Sequence, residues 1–204
     1  EAATLVPMRR RGRILFAVGA LFIAAALGIG GYLAWQLWGT GLTTQRLQSE
    51  LRRGFEKKID TRAPGSAPAT PIRIPGGAVA ILQIPRIGLD MVVVEGTSTE
   101  DLKKGPGHYA DTAFPWQDQG RVGIAGHRTT YLHPFFDLDR MRPGDRIVLQ
   151  TEYGTYRYQV TRVFVTAPDD GSVLDQTRRP TLVLTTCNPR YSASQRLIVD
   201  AIRV

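Results

Sequence analysis

Residues 14–38 run for 25 positions without a single charge. No other feature restricts this chain as strongly. As a helix the run spans more than the roughly 30 Å of a bilayer's hydrocarbon core. Gly28, Gly30 and Gly31 lower helix propensity in water but are tolerated in membranes. Tyr32, Trp35 and Trp38 gather at the far end, as interfacial aromatics do. Arg9, Arg10, Arg11 and Arg13 flank the near end and place it in the cytoplasm by the positive-inside rule. A cleaved signal peptide is the rival reading, but the run is long for one and lacks a small-x-small site before a polar start. A buried core helix is disfavoured because no face of the segment carries charge. The expected layout is a basic cytoplasmic tail at 1–13, a transmembrane helix at 14–38, a juxtamembrane helix and flexible linker at 39–77, and a folded extracellular domain at 78–204.

The net charge of +8 invites a nucleic-acid reading, and its distribution argues against one. Residues 1–62 hold ten Lys/Arg against four Asp/Glu, while 63–204 hold sixteen against fourteen. The basicity belongs to the membrane-proximal part, and no basic and aromatic stripe tracks a nucleic-acid backbone. A single cysteine excludes an internal disulfide framework and a multi-thiolate zinc site. Nothing calls for a metal or a cofactor: Asp169-Asp170 reads as a solvated turn, and Gly105-Pro106-Gly107 lacks the third glycine of a dinucleotide fingerprint.

Leu47, Leu51, Phe55 and Ile59 recur every four residues, so 43–60 is expected to be helical, capped by Thr43 or Thr44. Arg52, Arg53, Lys57 and Lys58 make it basic, either a stalk or a helix lying near anionic lipid. The Pro, Gly, Ala and Ser composition of 61–77 reads as linker. Strand signals dominate thereafter, at 79–84, 89–94, 121–125, 146–150, 156–165, 181–186 and 196–203. Ser98 or Thr99 caps a short helix over 100–104, and a further helical turn is expected at 134–138. Eight or so short strands with turn-punctuated spacing predict an all-β domain, a closed barrel or a sandwich.

Cys187 falls where the 181–186 strand ends, before Asn188-Pro189, a dipeptide that cannot continue a sheet ladder. A lone cysteine is either a small buried hydrophobe or kept for its reactivity. A thiolate is a strong nucleophile even at a small population. His127, after a strand and a glycine, is the proton-transfer candidate. Arg196 shares a strand face with Ile198 and is the candidate for stabilising an oxyanion. Arg190 is its rival, expected to be solvated in a loop. Arg128 is expected to be structural or solvent-facing. His108 and His133 are expected to be surface loop histidines.

With Val183-Leu184-Thr185-Thr186-Cys187, His127 upstream and Arg196 downstream, residues 78–204 resemble a sortase, a membrane-anchored cysteine transpeptidase of Gram-positive bacteria. The family signature begins Thr-Leu, and Val183 replaces that first threonine. The resemblance implies an eight-stranded barrel and carries over Cys187 as nucleophile, His127 as the histidine and Arg196 as the arginine. Gly126-His127-Arg128-Thr129-Thr130-Tyr131 and Leu184-Thr185-Thr186-Cys187-Asn188-Pro189 most resemble class E housekeeping enzymes of actinobacteria. That implies cleavage of a Leu-Ala-x-Thr-Gly-like signal between Thr and Gly. The implied partners are secreted proteins bearing the signal, an amino group of a cell-wall precursor and the lipid membrane. Tyr131 and Thr186 become candidates for substrate recognition. Alanine keeps the backbone N–H that proline lacks, so a nearby phenol oxygen gains a donor. The loops at 167–179 and 188–195 are the candidate groove walls. The alternatives are an ordinary cysteine hydrolase, a pilin-polymerising sortase and a non-catalytic membrane-tethered β-domain.

Overall fold

The computed structural model describes residues 10–35, 39–61, 67–68 and 73–204. Eight strands close into a barrel in the order β1-β2-β3-β4-β7-β8-β6-β5. They are β1 (Ala78–Ile84), β2 (Leu89–Glu95), β3 (Gly107–His108), β4 (Arg121–Ala125), β5 (Arg146–Thr151), β6 (Gly154–Thr166), β7 (Thr181–Asn188) and β8 (Gln195–Arg203). Most neighbours are antiparallel; β2–β3 and β4–β7 are parallel. Closure excludes the sandwich and leaves no long exposed edge. The strand that sequence patterning misses is β3, two residues long between Pro106 and Tyr109, too short for any periodicity to register.

Alternation decides what the barrel encloses. Val122 and Ile124 of β4, Leu182 and Leu184 of β7, and Leu197, Val199 and Ala201 of β8 point inward with Leu82, Ile84, Ile147, Leu149 and Tyr158. By the same alternation Gly123, Ala125, Val183, Thr185, Cys187, Arg196 and Ile198 belong to the outer face. Val183, Thr185 and Ile198 are nonetheless buried. The long β6–β7 connection lies over them. Arg121 Nη1 donates to Val173 O at 2.5 Å, and a Cβ on Gly123 would stand 3.1 Å from Leu174. Within that connection Asp170 caps a 3-10 turn at Gly171–Leu174 and is held by Ser172 and Thr166, so it is structured rather than a bare solvated turn.

Two helices precede the barrel. Helix α1 (Arg10–Ala34) has the length and composition to cross a membrane, and its apolar window is not buried within the protein. Arg9 and Trp38 lie outside the described residues. Helix α2 (Thr40–Thr61) begins three residues before the expected start, so Thr43 and Thr44 sit inside it rather than capping it. It is not a free stalk. Phe55 packs with Ile81 and Val92, flanked by Leu51 and Ile59. Gln48 takes the backbone of Val92 at both ends, donating to its carbonyl at 2.9 Å and accepting from its N–H at 2.8 Å. The four-residue apolar period therefore marks a face docked on β1 and β2, and Arg52 at its margin joins the contact by pairing with Asp90 of β2. The linker expectation is revised at its end: Gly76 N donates to Glu95 O at 2.7 Å and Arg73 pairs with Glu95, so 73–77 is attached to the barrel. Residues 62–66 and 69–72 lie outside the described residues. The short helix α3 (Thr99–Leu102) is capped by Ser98, whose hydroxyl accepts from Asp101 N.

Candidate active site

Strands β4, β7 and β8 are consecutive around the barrel, and the site lies where all three reach one rim. The β4–β7 pairing ends at Ala125 opposite Thr185. Counting two residues on from each partner reaches His127 and Cys187. On the other side of β7, Cys187 is the register partner of Arg196 in β8. Directly opposed residues of antiparallel strands have Cα atoms about 5 Å apart. One imidazole, one thiol and one guanidinium thus start from neighbouring backbone positions on the outer face.

Cys187 is unpaired and partly exposed, unlike the fully covered Leu184 and Val183 of the same strand. It stands where the cover over the outer face stops. Cys187 is therefore not part of the fully buried core. His127 is half-buried, and its Nε2 is enclosed without a hydrogen-bond partner among the described residues. Burial lowers its pKa below the ordinary imidazole range, favouring the neutral ring. Buried polar atoms are ordinarily paired, so this nitrogen departs from the rule. Gly126 admits this arrangement: a Cβ there would meet the Phe135 ring at 2.6 Å.

Arg196 is half-exposed, and its Nη1 donates to Ala193 O at 2.9 Å and Gln195 O at 3.0 Å. It lies beside the cysteine in register, while its guanidinium is engaged by its own loop. Tyr131 packs its ring 5.0 Å from the His127 ring. Tyr131, Leu132 and His133 are consecutive left-handed residues, with φ of 52°, 62° and 38°. Non-glycine residues held there carry strain, which collects at functional loops.

Several expectations are corrected. Thr186 is not available to a substrate: it points into the barrel, is buried, and donates its hydroxyl to Gly126 O at 2.7 Å. It positions the His127 turn instead. Arg190 is partly exposed but not free in solvent; it lies 4.1 Å over the Phe136 ring and pairs with Asp137 and Asp139. Of the two readings of Arg128 the structural one holds: it is buried and donates to Cys187 O at 3.3 Å and Asn188 Oδ1 at 2.9 Å. His108 is not a surface histidine; it sits in β3 and is buried against Glu95. His133 is exposed in a turn, as expected. Among the described residues no group of three His, Cys, Asp or Glu could hold a metal ion. Sequence reasoning also missed Tyr109, whose hydroxyl meets Thr185 Oγ1 at 2.9 Å on the outer face two residues before Cys187. Only the β3–β4 pairing brings it there, so no local signal marks it.

Comparison with known proteins decides the family. Residues 82–204 match the family model described as Sortase domain. The chain belongs to the sortase family. It is 32% identical over 194 residues to "Sortase D" of Bacillus subtilis (strain 168), covering 89% of this chain and 95% of that protein. A Clostridium perfringens Sortase D5 transpeptidase superposes with a TM-score of 0.67 at 26% identity, over 78% of this chain and 99% of that one. Sortase E1 from Streptomyces coelicolor, solved with a tripeptide in the active site, superposes with a TM-score of 0.60 at 34% identity, over 65% of this chain and 91% of that one. The chain is a cysteine transpeptidase of this family, built on its closed eight-stranded barrel. Sortases act on proteins carrying a sorting signal and on cell-wall precursors, and the apolar α1 is compatible with a single-pass anchor.

Proposed function

We propose that Cys187 is the nucleophile, His127 the proton-transfer residue and Arg196 the oxyanion-stabilising group of this transpeptidase. The observation that carries the reading is the adjacency of β4, β7 and β8, with Cys187 opposite Arg196 and two residues beyond the Thr185 that pairs with Ala125. The sorting peptide lies extended in the outer-face groove. The Cys187 thiolate attacks the threonine carbonyl carbon, forming an S–C bond and placing negative charge on oxygen. Arg196 leaves its loop carbonyls to donate to that oxygen. As the C–N bond to glycine breaks, His127 gives its proton to the leaving amine. A precursor amine then attacks the thioester, returns a proton to His127 and expels the thiolate, leaving a new amide. Burial of His127 disfavours its charged form, the form that protonates the leaving amine.

The signal is of the Leu-Ala-x-Thr-Gly type and the enzyme of class E. The motif around Tyr131 and the position of that ring beside His127 support this. The sorted proteins are secreted chains, and the acceptor is a peptidoglycan-precursor amine. The N-terminus is cytoplasmic, the barrel lies outside, and the arginines before α1 support that orientation.

The test uses the full chain in detergent with paired peptides that differ only in alanine or proline after leucine. Cleavage and amine-dependent transfer are both followed. The alanine peptide is expected to be preferred by about tenfold, the worth of one buried hydrogen bond. Equal or reversed preference removes the class E assignment. Cys187→Ala is expected to abolish turnover with an unchanged thermal midpoint; retained turnover ends the nucleophile assignment.

A further inference from the structure

In a parallel ladder one strand's carbonyls accept from its neighbour at every second residue. Along the β4–β7 seam, Gly126 N donates to Thr185 O at 3.1 Å. The next acceptor in that series is Cys187 O, and its donor would be the backbone N–H of Arg128. The chain has left the sheet by then, and the guanidinium of the same residue takes the place: Arg128 Nη1 donates to Cys187 O at 3.3 Å. The fork extends further. Nη1 also reaches Asn188 Oδ1 at 2.9 Å, Nε donates to Phe136 O at 3.4 Å, and Nη2 pairs with Asp139 at 3.2 Å. Arg190 closes the circuit from the loop after β7, pairing with the same Asp139 at 3.0 Å and donating to Phe136 O at 3.2 Å. A buried guanidinium is costly unless its donors are taken, and here four acceptors take them.

We propose that Arg128 is a positioning residue for the transpeptidation, setting the separation of the two reacting side chains. Its backbone follows directly on His127, and its side chain grips the carbonyl of Cys187. One residue therefore ties the imidazole's turn to the cysteine's strand at the point where the sheet no longer does. Asp139 and Arg190 brace it from the loop behind. This rests on the reading of Cys187 and His127 as the reacting pair. It differs from a purely structural role because the contacts lie at the open end of the seam and not in the barrel core.

The experiment compares Arg128→Met, Arg128→Lys and Asn188→Ala with the unaltered full chain in detergent, measuring kcat, KM and thermal midpoint on the sorting-signal peptide. A misplacement on the order of 1 Å costs about a hundredfold, so Arg128→Met is expected to lose about that in kcat with KM changed less than about threefold. Arg128→Lys recovers only part, because an ammonium cannot reproduce the fork. Asn188→Ala removes one partly exposed acceptor, folds normally, and is expected to lose about fivefold in kcat, about 1 kcal/mol and the worth of one hydrogen bond. A folded Arg128→Met with kcat within twofold of the parent overturns the proposal. If Arg128→Met does not fold, Asn188→Ala with unchanged kcat overturns it. Turnover retained in Cys187→Ala would instead remove the site reading itself. An inactive Cys187→Ala beside unaffected Arg128 and Asn188 variants removes only the clamp.

Discussion

Two histidines in this barrel have opposite surroundings. His108, in β3, is 1% exposed and satisfied on both nitrogens: Nδ1 meets Glu95 Oε2 at 2.7 Å, and Nε2 meets Ala113 O at 2.9 Å and Thr112 Oγ1 at 3.1 Å. Its ring lies 4.7 Å from Phe114, and Arg73 completes the charge balance on Glu95. Burial raises the Glu95 carboxyl, but the hydrogen bonds and charges of His108 and Arg73 outweigh it and hold that group below its usual range. His127 is half-exposed, and its enclosed Nε2 has no partner among the described residues. A ring with every site taken can only hold structure together. The His127 ring, short of a partner, is free of that constraint, as the proposed proton-transfer role requires.

The contrast breaks if the two residues respond alike. His127→Ala is expected to lower kcat by about 10²–10⁴, the span of general acid–base catalysis, with little change in thermal midpoint. Arg196→Met comes next, at about 10²–10³ in kcat, the cost of a lost oxyanion donor. Kinetics that instead move in KM alone would assign Arg196 to substrate binding. His108→Ala should behave in the opposite way. It leaves Glu95 buried with a partner removed and is expected to cost about 3–5 kcal/mol of stability. The folded fraction should keep its kcat, and a selective loss of kcat there would refute the division of roles.

The smallest effect is in pH. The folded state holds His127 below the ordinary imidazole pKa of 6.5, so the unfolded chain binds its proton more readily. Stability contributed this way is present above about pH 6.5 and declines as pH falls through that value toward the folded pKa. Denaturant midpoints between pH 7.5 and 5.5 should therefore fall less in His127→Gln than in the parent. Equal slopes would mean that the ring is solvated. Glu95 and Asp170, both held low, lose their contributions at more acidic pH and do not confuse this window.

Strand positions were legible because apolar alternation and turn residues are local. β1, β2 and β4–β8 follow the sequence pattern to within two residues at most ends. Cys187 was legible because it is the sole cysteine, at the end of a β-branched run before Asn-Pro. The rest was hidden for definite reasons. α2 reads as a basic stalk because its charges are conspicuous, whereas Thr44 and Gln48, which attach it to Lys103, Lys104 and Val92, look like ordinary helix polars. Arg190 reads as solvated because its partners, Asp137 and Asp139, lie some fifty residues away. Thr186 resembles a recognition residue because it adjoins the cysteine. The period of two along a strand turns its side chain to the interior instead.

By itself the chain specifies an apolar span long enough for a bilayer, a set of short strands and one cysteine at a strand end. These depend on residue type and spacing over a few neighbours. The tertiary structure alone decides that β4 and β7 run side by side in parallel although 55 residues separate Ala125 from Thr181. That pairing sets His127 two residues beyond the partner of Thr185 and turns Arg128 onto the cysteine carbonyl, while the β2–β3 pairing sets His108 opposite Glu95. Hydrogen-bond satisfaction is a property of the closed barrel, where each buried donor must find an acceptor wherever the fold brings one.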